Sequence, residues 1–351
     1  MQIELKKRGP LNFWQSMLLP ISALIVAFMI GSILIAMSGA NIWDAYLLLI
    51  EGAVGSPFAL LETLLKMTPL CLTGLAVAVA FKGNFWNIGA EGQLYFGALV
   101  AALLGIVPGL PAFIHIPIII IGGFIAGGLW AMLPAFLKVR FKVDDVVTTL
   151  MFNYIMIFGI QAVLDGYWRD KVSGWPHSPE VLLTARYPQL LPESRFHFGF
   201  IVAIICAVLV YLLLRYTTLG YKIRATGLNP KAAAFGGINV KKTVLIVALI
   251  SGGLAGLAGV GEVIGMQYYL VDGISRSYGY VGIAVALLAN LNPLGVIFSS
   301  FFLAAIFTGS QTMSRFAGVP VYFSEFMQGL TLIVMLIALL FSKYSVRIRR
   351  S

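Results

Sequence analysis

An all-α, polytopic membrane fold with about ten transmembrane helices is predicted by three observations. The 351 residues are 60% hydrophobic and only 11% charged, whereas a soluble globular domain carries about 25% charge. Apolar runs of membrane-spanning length recur along the whole chain, and mean hydropathy is +0.93. Cations collect in alternate polar segments between those runs. The net charge of +10 is therefore the signature of a membrane topology and not of a nucleic-acid partner. Cys71 and Cys206 both lie in apolar runs and read as unpaired fillers, with no disulfide scaffold or thiolate metal site.

Lys6, Lys7 and Arg8 precede the first run, Leu19–Met37. It is too long for a signal-peptide core and more runs follow, so it reads as the first anchor. The others are Ala59–Ala80, Ala90–Ile106, Ala112–Phe136, Thr148–Asp165, Phe198–Leu214, Thr243–Val263, Gly279–Ala289, Leu294–Thr308 and Phe326–Phe341. The eighth is too short for a simple span; it either extends backwards or is half of a broken helix. Ten spans put both termini on one side. The segments then assigned to the inside hold 17 Lys and Arg, those assigned to the outside hold 6, and only Lys66 falls within a span. Both termini are expected in the cytoplasm.

In the second span Glu62 and Lys66 stand i,i+4, a spacing that allows an internal salt bridge. After it comes Lys82–Gln93, KGNFWNIGAEGQ, with Asn87 suited to cap a helix entered through Gly89. Asn84, Asn87, Glu91 and Gln93 at a membrane edge have two possible uses: holding a re-entrant turn, or lining a polar route. His115 stands alone in the fourth span, without metal-ligating neighbours. Asp144 and Asp145 open the fifth span, where acids favour a helix start, and Thr148, Thr149 and Asn153 follow. Gly123/Gly127, Gly252/Gly256 and Ala255/Gly259 have the four-residue spacing that lets helices pack closely. The 166–197 segment is then an external, aromatic loop.

The 215–242 segment falls on the inside. Asn229 is an N-cap, Pro230 a first helical residue, Lys231, Ala232, Ala233, Ala234 and Phe235 continue the helix, and Gly236–Gly237 stops it. So sharply bounded a helix between two spans either tidies a turn or presents itself to a partner. Glu262, Gln267, Tyr268 and Asp272 form a polar cluster at the outer end of the seventh span. Asn290, Asn292 and Pro293 interrupt the next apolar stretch, either as a short inner turn or as a mid-membrane break. No P-loop, nucleophile elbow or HExxH zinc motif occurs. Any ATP-driven transport must draw its hydrolysis from another subunit.

Four stretches, GNFWNIGAEGQ (83–93), DVVTTLMFNYIM (145–156), ATGLNPKAAAFGGINV (225–240) and GIAVALLANLNPLG (282–295), resemble the membrane permeases of ABC importers. The superfamily is that of branched-chain amino acid and ribose permeases. The resemblance runs from about Leu61 to the C-terminus, and NIGAEGQ and GLNPKAAAFGGI are most similar to nucleoside-uptake permeases served by a basic-membrane-protein-type binding lipoprotein.

The resemblance implies a type II-like permease fold in the bacterial inner membrane. It implies residues 1–18 as a cytoplasmic segment, 19–342 as one permease domain and 343–351 as a basic tail. It implies a second related permease, a cytoplasmic ATPase that uses ATP and Mg, an external binding lipoprotein, and no cofactor or catalysis in this chain. The 229–237 helix matches the coupling segment. Phe85, Trp86, Asn87, Glu91 and Gln93, with Glu262 and Asn290, are the candidates for the translocation path, the two aromatics as stacking partners for a nucleoside. Ribose-like sugars or branched-chain amino acids are the alternative cargo. An ion-coupled transporter using Glu62, Glu91 or Glu262, or an assembly protein without flux, are the rival classes.

Overall fold

The computed structural model describes residues 2–7, 13–169, 174–192 and 194–349, with side chains between 21 and 338 except at 324 and 328. Arg8, Lys171 and Arg350 of the charge count, and part of the predicted terminal segments, lie outside the described residues. Strand β1 (Gln2–Lys7) pairs antiparallel with β2 (Tyr344–Arg349). The long elements between them are helices: α1 (Phe13–Met37), α2 (Ile42–Val54), α3 (Pro57–Lys82), α4 (Ala90–Gly105), α5 (Ala112–Phe141), α6 (Asp145–Asp165), α7 (Gly199–Tyr216), α8 (Thr218–Leu228), α9 (Pro230–Phe235), α10 (Val240–Gly261), α11 (Tyr278–Leu288), α12 (Pro293–Ala317) and α13 (Phe323–Lys343).

Among the described residues six helices are long and apolar enough to cross a membrane: α3, α5, α6, α7, α12, and α10 together with the π-helical turn Glu262–Gln267 that continues it. The pair α1–α2, bent by 114°, makes a seventh if it counts as one span. Gly39, at φ +79°, turns the chain there, and Asn41 caps α2 by accepting from the Trp43 N–H at 2.9 Å. The sequence reading has no helix at 42–54, because Asp44 and Glu51 break its apolar run. It forms nonetheless by burying Ala45, Leu49 and Ala53, chiefly against α12. Helices α4, α11 and the 325–338 part of α13 are apolar but shorter.

At the centre stand α3 and α10, 83% and 78% buried over their apolar windows, against 28% for α6 and α7. The close approach of α10 to α5 depends on glycine. A Cβ at Gly252 would stand 2.2 Å from the Gly127 carbonyl oxygen, and one at Gly256 only 2.3 Å from that of Gly123. Two of the three predicted small-residue pairs, Gly123/Gly127 and Gly252/Gly256, thus pack against each other, backbone to backbone.

The π turn ends at Tyr268 in the left-handed conformation, φ +64°. Carbonyls left unpaired in so irregular a segment need partners. The segment 174–197 supplies them: the Tyr187 N–H donates to the Ile264 carbonyl at 2.9 Å and the Val181 N–H to the Tyr268 carbonyl at 2.8 Å. Ser178 and Leu270 exchange two further bonds, at 2.9 and 2.8 Å. His115 ties the same segment to α4 and α5, meeting the Thr184 hydroxyl at 3.0 Å and the Leu104 carbonyl at 2.9 Å.

His197 closes the segment. It is buried, stacks on Tyr187, and accepts the Gly199 N–H through Nδ1 at 3.1 Å. Burial pushes its pKa from 6.5 down to about 4. Below pH 6.5 the unfolded chain therefore binds a proton that the native state excludes, and stability falls as pH drops towards 4. At pH 5 the loss amounts to about 2 kcal/mol. The thermal midpoint of the detergent-solubilised protein should fall between pH 7.5 and pH 5, and should fall less in a His197→Phe variant. Equal shifts in the two proteins would show that His197 is not the responsible group.

Candidate functional site

The turn between α3 and α4 re-enters the helix bundle. Ser251 lies mid-way along α10, and its hydroxyl donates to the Ala76 carbonyl, six residues before the end of α3, at 2.7 Å. The Asn87 amide donates to that same hydroxyl at 2.9 Å. Asn87 and Gln93 also exchange reciprocal amide bonds, both 2.9 Å. At 1.5 Å rise per residue, this knot lies about 9 Å inside the end of α3. Asn87 is not the predicted helix cap: its Oδ1 takes the Gly89 N–H at 2.9 Å, and Gly89 itself occupies the N-cap without a side-chain bond. Phe85 is fully buried, whereas Trp86 is half-exposed and leans on Phe81 at 4.5 Å between ring centroids.

Helix α6 fastens the outside of this turn. Asp144 caps α6 by accepting the Val147 N–H at 3.0 Å. Asp145 accepts the Trp86 N–H at 2.6 Å and pairs with Lys138, whose ammonium also donates to the Asn84 carbonyl. The Thr149 hydroxyl receives the Ile88 N–H at 3.1 Å. Asn153 takes the Gly92 N–H at 2.8 Å and gives to the Ile88 carbonyl at 3.0 Å and the Tyr280 hydroxyl at 3.1 Å. Three residues of one sequence motif, Asp145, Thr149 and Asn153, thus satisfy the backbone of another.

Glu91 joins α4 to α11. Its Oε2 accepts the Gly279 N–H at 2.7 Å, so one carboxylate sits in the first turn of α4 and at the N-terminus of α11. The positive ends of two helix dipoles meet there, and the acid offsets both. Thr73 donates to the Tyr278 carbonyl at 3.0 Å, nine residues before the end of α3. Helix α11 accordingly starts about 13 Å inside that end. The eighth apolar segment is thus a broken helix, its irregular half being residues 268–277. The break does not lie at Asn290–Pro293. There Asn290 and Leu291 are left-handed, at φ +50° and +58°, and Asn292 caps α12.

Glu262, on the π turn, lines a cavity of 550 Å³ with Glu62, Lys66, Arg195, Arg276 and Arg315. A neighbouring cavity of 630 Å³ shares Glu62, Lys66, Arg195 and Arg315 and reaches Glu51 and Thr312. The predicted Glu62–Lys66 pair does not form: Glu62 bonds Arg195 at 3.0 Å, a bidentate-capable partner brought in from the 174–197 segment. Asn290 lies at the opposite face, in a cavity of 1010 Å³. Phe85, Asn87, Glu91 and Gln93 line none of these three cavities. Among the described residues no group of three or more His, Cys, Asp or Glu could hold a metal ion.

Between α7 and α10 the chain forms α8 and α9. Asn229 caps α9, its Oδ1 accepting from the Lys231 and Ala232 N–H groups at 3.0 and 3.1 Å. Gly236 follows the last helical residue and Gly237 turns away at φ +83°. Helix α9 has the predicted bounds, while α8 was not anticipated. Ala233 is buried beneath them, but Leu228 and Phe235 are 88% and 98% exposed. Two large apolar side chains so fully exposed on one short helical corner form an uncovered apolar patch.

Residues 59–336 match the family model described as the permease component of the branched-chain amino acid transport system. The chain belongs to this family. It is a multi-pass permease subunit of an ABC importer in the inner membrane. It is 36% identical to the guanosine ABC transporter permease NupP of Bacillus subtilis, over 94% of each chain. It is 32% identical to the nucleoside ABC transporter permease NupB of Lactococcus lactis, over 88% of this chain and 87% of that one. It is 28% identical to the glucose ABC transporter permease TsgB13 of Haloferax volcanii, over 99% and 94%.

The hydrogen bonding of Asn87 predicts how its loss will be felt. Asn87→Leu leaves Gln93 and Ser251 buried without their partner, which costs about 1–3 kcal/mol. Expressed yield and thermal midpoint should fall, while the KM for uptake of the protein that does assemble stays within about twofold. An unchanged midpoint with a raised KM would instead make Asn87 a solute-contacting residue.

Proposed function

We propose that this permease imports nucleosides. It forms the translocation path with a second, related permease, takes solute from an external binding lipoprotein, and is driven by a separate cytoplasmic ATPase that grips α9. The similarity to two nucleoside permeases, each along nearly its full length, is the observation that carries the cargo. The solvated Phe235 on a capped, glycine-bounded helix carries the ATPase contact. In this reading the chain crosses the membrane ten times, with α4 and α11 completed by the re-entrant turn and by residues 268–277. The paired β1 and β2, with the 17-to-6 charge bias, favour both termini in the cytoplasm. The single permease domain then extends over 19–342.

The path opens outward at the cavity of Glu262. Phe85, Asn87, Glu91 and Gln93 act on it from behind, as the frame that fixes α4 and α11, and Trp86 offers a half-exposed ring beside that frame. A bundle so tightly bonded moves as a block, and ATP-driven displacement of α9 changes which side of the path is open. A sugar cargo is the second reading, favoured by the similarity to the glucose permease over 99% of this chain.

Proteoliposomes holding the complete complex and the binding lipoprotein, without an ion gradient, test the cargo. Guanosine should stimulate ATP hydrolysis and accumulate only with ATP; a response confined to glucose or ribose would replace the cargo and keep the ABC mechanism. In the same assay Phe235→Ala should lower uptake at least about tenfold, as loss of a central apolar anchor does. Its expression and thermal midpoint should be unchanged, since the side chain packs on nothing within the chain. Full uptake by Phe235→Ala would remove α9 from the ATPase contact.

A further inference from the structure

The cavity of 1010 Å³ combines two chemistries that a neutral solute does not need together. One wall carries Lys82, Arg215 and Arg224, contributed by the ends of α3 and α7 and by α8. The other is apolar, with Ile21 and Leu24 of α1 and Phe298 and Phe302 of α12. No acid lines the cavity among the described residues, and none of the three cations makes an ion pair there. Arg224 has its Nη1 buried without a hydrogen-bond acceptor. A guanidinium nitrogen cut off from water without a partner is a costly arrangement unless an anion completes it. On the apolar side Ile21 and Phe298 are 50% and 76% exposed, so that wall continues into surface the bilayer would cover.

The geometry points to an anionic phospholipid as the occupant. Its phosphate lies among Lys82, Arg215 and Arg224, and an acyl chain runs along Ile21, Leu24, Phe298 and Phe302. Basic pockets between helices at a membrane boundary take lipid headgroups in this way, and the cytoplasmic leaflet is the anionic one. The floor of the cavity is the Asn290–Pro293 turn, which joins α11 to α12, and Arg224 stands on α8, the helix that leads directly into α9. A bound lipid would therefore bridge the broken helix of the core and the helical corner proposed to meet the ATPase. Lipid composition would bear on coupling and not only on folding.

Native mass spectrometry of the purified complex, with dioleoylphosphatidylglycerol or dioleoylphosphatidylcholine added, tests this. The phosphatidylglycerol should be retained and the phosphatidylcholine lost. The double variant Arg215→Gln/Arg224→Gln should retain phosphatidylglycerol about thirtyfold more weakly. Lys222→Gln/Lys241→Gln, which removes two exposed cations outside the cavity, should bind it as the wild type does. Equal retention of the two lipids, undiminished binding by the first variant, or displacement of the lipid by saturating guanosine would each overturn the proposal, the last by making the cavity part of the solute route. If the first variant does not assemble, a fluorophore on Phe298→Cys gives the answer with the basic wall intact. Brominated phosphatidylglycerol should quench it more strongly than brominated phosphatidylcholine, and equal quenching would overturn the assignment.

Discussion

The fold depends on one constraint: backbone broken inside a membrane must find its hydrogen bonds within the protein. Between the central helices the chain leaves helical structure at 83–89 and at 268–277, and the same few side chains bond in or beside both stretches. Glu91 spans them directly, sitting in the first turn of one helix and receiving the N–H of Gly279, the second residue of the other. Asn153 reaches both sides too, bonding Ile88 and Gly92 on one and Tyr280 on the other. Asn87, Gln93 and Ser251 then lock the arrangement to α3 and α10, the two most buried of the spanning-length helices. Removing any of these groups leaves partners stranded where water cannot reach, so their effects will not be independent.

Such a frame separates rigid from movable parts. The bonded centre has little freedom, because each break is held by several groups at once. The solvated corner at α8–α9 is attached through short turns and presents its apolar side chains outward. On the opposite face, the 174–197 segment laces the π turn and carries Arg195 to Glu62. A cation-rich cavity with two buried or half-buried acids thus stands over the rigid centre, while the exposed apolar corner at α8–α9 lies away from it.

Much of this was legible before any coordinates. Hydropathy located the apolar segments, since spanning length is imposed by the bilayer. The bounds of α9 followed from Asn229, Pro230 and Gly236–Gly237, because capping is a local matter of one side chain and two backbone amides. The glycine pairs read correctly as packing, since no larger residue allows backbones so close. Helices α2 and α8 escaped notice, being too polar or too short for a span and stabilised by the helices they touch. The Glu62–Lys66 pair was a helical-spacing inference, and a residue 133 positions away took the acid instead.

By itself, then, the sequence determined that the chain is a helical membrane permease, which family it resembles, and where the short capped helix α9 begins and ends. Those properties rest on composition, on contiguous motifs and on interactions within a few residues. Only the tertiary structure decided what the polar motif at 82–93 is bonded to, that the eighth segment is a half-helix, and that separate basic residues converge on one amphipathic cavity. Each depends on contacts between residues dozens to hundreds of positions apart, and hydrogen-bond partners at that distance leave no spacing in the chain from which they can be read.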